Sequence, residues 1–124
     1  MFFEVIQTRS FLIAVLLSLS IIFSSCSSSG SKRTLSDNPE SAYLLAKSTY
    51  DKKEYLDAID EFSLIKLKFS GSNIIDKAIF YLAMSYYKND EFILAVYEFE
   101  TILKSYPTSP LVEEATFYTA MCYY

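Results

Sequence analysis

An internal repeat with a spacing of 37 residues most constrains how this chain of 124 residues can fold. Residues 75–87 read IDKAIFYLAMSYY and residues 112–124 read VEEATFYTAMCYY, and the two segments are identical at seven positions. The same spacing joins earlier apolar residues to later ones, namely Ala46 to Ala83, Tyr50 to Tyr87, Tyr55 to Phe92, Ala58 to Ala95, Phe62 to Phe99 and Ile65 to Ile102. A period of this length is typical of arrays in which one supersecondary unit stacks on the next.

Each unit carries the apolar periodicity of amphipathic helices. Phe92, Ala95, Val96 and Phe99, for example, recur at steps of three and four residues, which places them on one face of a helix. The sequence predicts five helices, over residues 39–53, 55–69, 74–88, 91–105 and 110–124, which pair as antiparallel hairpins. The fold class is therefore predicted to be all-α.

Polar residues ahead of these segments predict where the helices begin. Side chains with an oxygen acceptor cap the first backbone N–H groups of a helix, and proline is favoured at the first helical position. The predicted caps are Asn38 before Pro39, Ser109 before Pro110, Asn73 with Asp76, and Asp90.

Composition agrees with a helical protein and excludes one class of partner. Hydrophobic residues make up 52% of the chain, with only two glycines and three prolines, which suits packed helices better than turn-rich sheets. The formal charge is -4 and there is no basic cluster, so we expect no nucleic-acid partner, because phosphates need Lys and Arg. Electrostatic docking onto anionic lipid is disfavoured for the same reason.

Residues 1–25 have the order of an export signal. Arg9 lies in a short amino-terminal region, residues 11–23 (FLIAVLLSLSIIF) form an uncharged and mostly apolar run, and small residues then lead to Cys26. The apolar run is shorter than the ~20 residues that a membrane-spanning helix prefers. A retained membrane anchor is the alternative interpretation.

Cys26 has the position of the modified cysteine in the lipoprotein signals that this segment resembles. In such signals the Cys after the cut is acylated, with palmitate among the acyl chains, so the resemblance implies a lipid anchor at Cys26. Phe23 departs from the pattern, because Leu or another aliphatic residue usually stands there, and a stray thiol after a plain signal is the alternative. Ser27, where Asp would mark inner-membrane retention, implies the outer membrane.

The sequence thus predicts three parts, which are the signal peptide (1–25), the lipidated Cys with a flexible tether (26–38) and the repeat domain (39–124). The tether includes SSSGSKRTLS at residues 27–36, a composition with too few apolar side chains to fold.

The middle unit resembles a tetratricopeptide repeat. The residues that carry this resemblance are Leu82, Ala83 and Tyr86 in its first helix, and Ala95, Phe99, Ile102 and Pro107 in and after its second. The first unit departs from the pattern at Thr49 and Ser70. The resemblance implies a right-handed solenoid of about two and a half repeats, over residues 39–73, 74–109 and an incomplete 110–124.

The whole chain from Asn38 onward also resembles the BamD family of outer membrane assembly lipoproteins, also called YfiO. The segments that carry this resemblance are AIFYLAMSYYKNDEFILAVYEFE (78–100), SYPTSP (105–110) and EEATFYTAMCYY (113–124). It implies a scaffold on the periplasmic face of the outer membrane whose partners are unfolded outer membrane proteins and a BamA-type assembly complex. Periplasmic repeat proteins that coordinate cell-envelope or division machinery share some of these elements, and they are the alternative.

In tetratricopeptide repeats the first helix of each hairpin lines a protein-binding groove. Carried over residue by residue, the resemblance implies that the groove is lined by Tyr43, Lys47, Tyr50, Lys77, Phe80, Met84, Tyr87, Lys88, Phe117 and Met121. Such an aromatic and thioether lining suits an extended or helical peptide with apolar anchors. The alternative is that these aromatic side chains pack against the next repeat.

An enzymatic function finds little support in the sequence. The chain has no His, and Cys122 takes the position of Ser85 in the preceding repeat, which indicates a packed residue more than a nucleophile. No metal-ligand spacing is present, and we expect no cofactor and no small-molecule substrate.

The chain ends in MCYY, within the first helix of a third hairpin. Because solenoids need a polar capping helix, the sequence suggests either the front part of a longer protein or a short form that dimerises.

Overall fold

The computed structural model describes residues 35–124. The predicted signal, Cys26 and all but the last four residues of the predicted tether lie outside the described residues. Five helices follow one another, namely α1 (Pro39–Asp51), α2 (Tyr55–Lys68), α3 (Ile75–Lys88), α4 (Phe92–Ser105) and α5 (Val112–Met121). Each helix packs against the next in hairpin-like pairs, and α1 also contacts α3. The all-helical prediction is confirmed. None of the helices in residues 35–124 combines the length and hydropathy that a membrane-spanning segment requires.

The backbone of the two complete hairpins repeats with the spacing found in the sequence. Lys53 and Asp90, which are 37 residues apart, adopt positive φ angles of 66° and 61° in the turns before α2 and α4. The next residue closes each turn, because the N–H of Glu54 donates to the carbonyl of Thr49 and the N–H of Glu91 donates to that of Tyr86. Left-handed backbone costs roughly 1–2 kcal/mol in a non-glycine residue, so both turns are held by the packing of the helices they join.

Of the predicted caps, only the first is confirmed. The Asn38 side-chain oxygen accepts a hydrogen bond from the N–H of Ser41 at 2.9 Å, ahead of Pro39 in α1. The other helices begin after Glu54, Ile74, Glu91 and Leu111, none of which makes a side-chain cap hydrogen bond. The predictions for Asn73, Asp76 and Asp90 were therefore wrong. The Ser109 hydroxyl does accept a hydrogen bond from the N–H of Leu111 at 3.2 Å, but the helix begins only after Leu111.

Tertiary contacts explain these errors. The Ser109 hydroxyl donates to a carboxylate oxygen of Asp76 at 2.6 Å, which ties the loop before α5 to the first turn of α3. Pro110 consequently lies outside the helix, and α5 begins two residues later than predicted, at Val112. Asp90 forms the left-handed turn, a conformation that Asp tolerates better than most residues.

The core consists of two apolar clusters that share α3. One cluster joins α1 and α2 to one face of α3, and the other joins the opposite face of α3 to α4 and α5. Fully buried alanines lie at matching places in both clusters, namely Ala46 and Ala58 in the first and Ala83 and Ala95 in the second. Because these side chains are small, the paired helices can approach closely, and Phe62 and Phe99 fill the space beside them.

Candidate protein-binding surface

A stacked pair of aromatic rings recurs between successive hairpins at the spacing of the repeat. Phe62 stacks on Tyr81 with ring centroids 6.0 Å apart and an interplanar angle of 20°. Phe99 stacks in the same way on Tyr118, at 5.7 Å and 12°. In both cases the second helix of a hairpin supplies Phe, and the first helix of the following hairpin supplies Tyr.

Further ring contacts extend from these two tyrosines along the first helices of the hairpins. Tyr81 is 6.1 Å from Tyr43 and 5.2 Å from Tyr50, both on α1. Tyr118 repeats the arrangement with α3, because it lies 6.4 Å from Phe80 and 5.4 Å from Tyr87. We call this continuous surface the aromatic seam, and it consists of Tyr43, Tyr50, Phe80, Tyr81, Tyr87 and Tyr118.

The seam is open to solvent only in part. Its five tyrosines are half-buried, whereas Phe80 is 4% exposed and Met84 is 7% exposed. Phe80 packs edge-on against Phe99, so it belongs to the core between α3 and α4 as well as to the seam. For Phe80 and Met84, the alternative interpretation of packing between repeats is therefore the one that the structure supports.

The remaining predicted groove residues are accessible. Lys77 and Lys88 are exposed on α3, and the Lys88 ammonium lies 5.7 Å from the centroid of the Tyr87 ring. Phe117 and Met121, the counterparts of Phe80 and Met84, are 58% and 41% exposed. They are exposed because no described helix covers α5 as α5 covers α3.

Lys47 lies beside the rings of the seam, between α1 and α3. Its ammonium is 4.8 Å from the centroid of the Tyr81 ring and 5.6 Å from that of Tyr50, and it forms an ion pair with Asp51 one turn further along α1. A cation over the face of an aromatic ring is attracted by the ring's electrons. The seam therefore contains one fixed positive charge between α1 and α3.

Burial raises the pKa of two tyrosines in the seam. It raises the pKa of Tyr43 to about 12, with Tyr81, Asp51 and Asp76 adding to the shift. Burial likewise raises the pKa of Tyr50 to about 12, with the phenols of Tyr55, Tyr81 and Tyr118 among the further causes. The hydroxyls of Tyr43 and Tyr50 are therefore neutral hydrogen-bond donors at physiological pH.

The sequence did not predict the two residues that make most of the ring contacts. Tyr81 and Tyr118 are absent from the predicted groove set, although each touches three or more aromatic rings. The signal that could have found them was their identity across the repeat, which marks them as equivalent positions.

Comparison with known protein families identifies the family of this chain. The model of the YfiO family, described as outer membrane lipoprotein, matches residues 36–124. The chain belongs to the YfiO family. This confirms the resemblance drawn from the sequence, and the family is one of non-catalytic assembly lipoproteins of the outer membrane. A comparison with curated proteins finds no match.

In this member of the YfiO family, an ion pair joins the second helix of one hairpin to the second helix of the next. The Lys66 ammonium on α2 donates to both carboxylate oxygens of Glu98 on α4, at 2.8 and 2.7 Å. Glu98 is buried, and burial together with this carboxylate raises the pKa of the neighbouring Tyr86. The pair fixes one hairpin against the next, and neither partner reaches the seam residues.

Two surface clefts border the seam, because Tyr55 in one contacts the ring of Tyr50 and Phe92 in the other contacts that of Tyr87. A cleft of about 370 Å³ is lined by residues 53–57 of the first hairpin turn and by Asn89. The other, of about 270 Å³, is lined by Phe92, Ile93, Val96, Cys122 and Tyr123. Burial raises the pKa of the Cys122 thiol, so this cysteine is protonated and a poor nucleophile at neutral pH. Within residues 35–124, no group of three metal-binding side chains comes together.

Proposed function

We propose that this protein is a scaffold in the assembly of β-barrel outer membrane proteins, which binds unfolded segments of those proteins along the aromatic seam. The observation that carries the proposal is the continuity of half-exposed tyrosines across α1, α3 and α5 in a chain of this family. Tyrosine offers a large apolar surface and a hydrogen-bonding hydroxyl at low cost in side-chain entropy, and it is enriched where proteins bind one another.

The chemistry of the seam favours an extended segment with alternating apolar side chains. Rings that lie side by side along the first helices of three successive hairpins accept apolar anchors, and the neutral hydroxyls of Tyr43 and Tyr50 can donate to backbone carbonyls. Exposed Phe117 and Met121 extend this apolar surface on α5, and the flexible thioether tolerates ligands of different shape. Barrel strands, which alternate apolar and polar residues, have this pattern before they fold.

The proposal includes attachment to the outer membrane through lipid at Cys26, facing the periplasm. Cells that express the full chain and are fed an alkyne analogue of palmitate should label it, and Cys26→Ala should abolish the label. Cys122→Ala is the matched control, because this half-buried thiol belongs to the helical domain. Equal labelling of the parent and the Cys26→Ala variant would exclude Cys26 as the anchor.

Binding is tested with a fluorescent peptide from the carboxy-terminal strand of a β-barrel protein, measured by anisotropy with the full chain in detergent micelles. Tyr87→Ala should weaken binding by about 5- to 30-fold, which corresponds to 1–2 kcal/mol. Tyr97→Ala removes an equally large ring that is 64% exposed on α4, outside the seam, and should leave affinity unchanged. Phe80 is unsuitable for this test, because truncating a core ring would also unfold the site. Equal affinity of the Tyr87→Ala variant and the parent would rule out the seam as the binding site.

A further inference from the structure

Comparison of the repeats shows that one charged residue beside the seam, Lys47, is not required for packing. Lys47 on α1 and Met84 on α3 are 37 residues apart and therefore hold equivalent positions. Lys47 lies over the Tyr81 ring that stacks on Phe62, and Met84 lies in the same apolar cluster as the Tyr118 ring that stacks on Phe99. The second hairpin thus shows that an uncharged side chain of similar length fills this place in the fold.

The position of the Lys47 ammonium is fixed, but its hydrogen-bonding capacity is only partly used. Contacts with the rings of Tyr50 and Tyr81 hold it between α1 and α3. An ammonium has three N–H donors, and among the described residues Asp51 is its one hydrogen-bond acceptor. The Lys47 side chain is 25% exposed, so the unused donors are within reach of a bound molecule.

Asp51, which forms the ion pair with Lys47, can be displaced at little cost in free energy. Asp51 lies at the last position of α1 and its side chain is 56% exposed. An ion pair of this kind, four residues apart on a helix and open to water, contributes only about 0.3–0.5 kcal/mol. The carboxylate of Asp76, which acts on the neighbouring Tyr43, is bonded to Ser109 and to the N–H of Lys77.

We propose that Lys47 is a carboxylate-binding point within the aromatic seam, which makes the seam selective for peptides that place one carboxylate beside their apolar anchors. The bound carboxylate accepts hydrogen bonds from the Lys47 ammonium, and Asp51 turns out into solvent. The carboxylate comes either from an acidic side chain or from the carboxy terminus of the peptide. This inference rests on the proposed function, because it names the chemistry of a ligand that the seam would bind.

The experiment uses the full chain in detergent micelles and three labelled decapeptides that alternate aromatic residues with Ser and Thr. The first has one internal Glu and a free carboxy terminus, the second replaces that Glu with Gln, and the third has an amidated carboxy terminus. The parent protein should bind the first peptide about 5- to 30-fold more tightly than whichever neutralised peptide has lost the bound carboxylate. The peptide that loses affinity identifies the source of the carboxylate.

Lys47→Met is the decisive variant, since it installs the residue that the chain itself has at position 84. It should melt within a few degrees of the parent and bind all three peptides with the lower affinity of the neutralised one. Asp51→Asn gives the opposite effect, because it removes the resident competitor, and it should tighten binding of the first peptide without tightening that of the neutralised one. This second variant tests the inference even if Lys47→Met fails to fold.

The outcomes separate the two proposals. If the parent binds all three peptides equally, or if Lys47→Met keeps the preference of the parent, the carboxylate site is refuted and the seam still binds peptide. If the parent binds none of the three peptides, the proposed function fails and the carboxylate site fails with it.

Discussion

The close approach of paired helices at small residues can be tested by enlarging one alanine. Ala83 on α3 is fully buried, and it shares its apolar cluster with the fully buried Ala95 and Phe99 on α4. Replacing Ala83 with Leu adds three carbon atoms at a place where no exposed surface remains. The added atoms must force the two helices apart or push neighbouring side chains from their preferred rotamers.

The expected cost follows from this environment. Overpacking a filled core destabilises a protein by typically 1–3 kcal/mol. A domain of the size described here is stable by about 5–13 kcal/mol, at 0.05–0.15 kcal/mol per residue, so the loss is a substantial fraction of the total. Each kcal/mol lowers the melting temperature of such a domain by about 4–8 °C, which predicts a decrease of roughly 5–20 °C.

Thermal denaturation followed by far-UV circular dichroism measures this effect, and the repeat provides a matched control. Ala120 lies 37 residues after Ala83 but is exposed on α5. Ala120→Leu makes the same chemical change on the equivalent helix, and we expect it to shift stability by less than about 0.5 kcal/mol. A melt of the Ala83→Leu variant that matches the parent, or an equal loss in both variants, would refute the packing explanation.

Three further perturbations test other contacts. Phe99→Ala removes a fully buried ring from two aromatic contacts and should cost about 3–5 kcal/mol, seen as a lower urea midpoint; a midpoint equal to that of the parent contradicts the core assignment. Lys66→Met leaves the buried carboxylate of Glu98 without its cation and should cost about 1–3 kcal/mol, and adding Glu98→Gln should recover part of that loss in a double-mutant cycle. Because the folded pKa of Tyr43 and Tyr50 is raised to about 12 from the ordinary 10, the stability they contribute is present below pH 10 and is lost between pH 10 and 12. Alkaline titration at 295 nm should show a late-ionising fraction of tyrosine that includes Tyr43 and Tyr50, and the absence of any late fraction would contradict their burial.

Part of the candidate site could be predicted from the sequence, and part could not. The spacing of the repeat places Tyr43, Tyr50 and Tyr87 on the first helices of their hairpins, and the structure brings all three into the seam. Phe80 occupies a position equivalent to that of Tyr43, yet it is buried where Tyr43 is half-exposed. Both rings make the equivalent pair of contacts, Tyr43 with Phe62 and Tyr81, and Phe80 with Phe99 and Tyr118. The difference arises because α3 also packs against the preceding helices α1 and α2, whereas no described helix precedes α1.

The sequence by itself determined the five helices and their repeat, because apolar residues at helical spacing and Asn38 before Pro39 act through local backbone geometry. Only the tertiary structure decided which helix faces are covered, because that depends on helices that are distant in the chain. The bond between Asp76 and Ser109, two residues that the sequence placed at separate helix starts, is one such contact. The placement of Lys47 over Tyr81 is another, since the charge is visible in the sequence but the stacked ring beneath it is not.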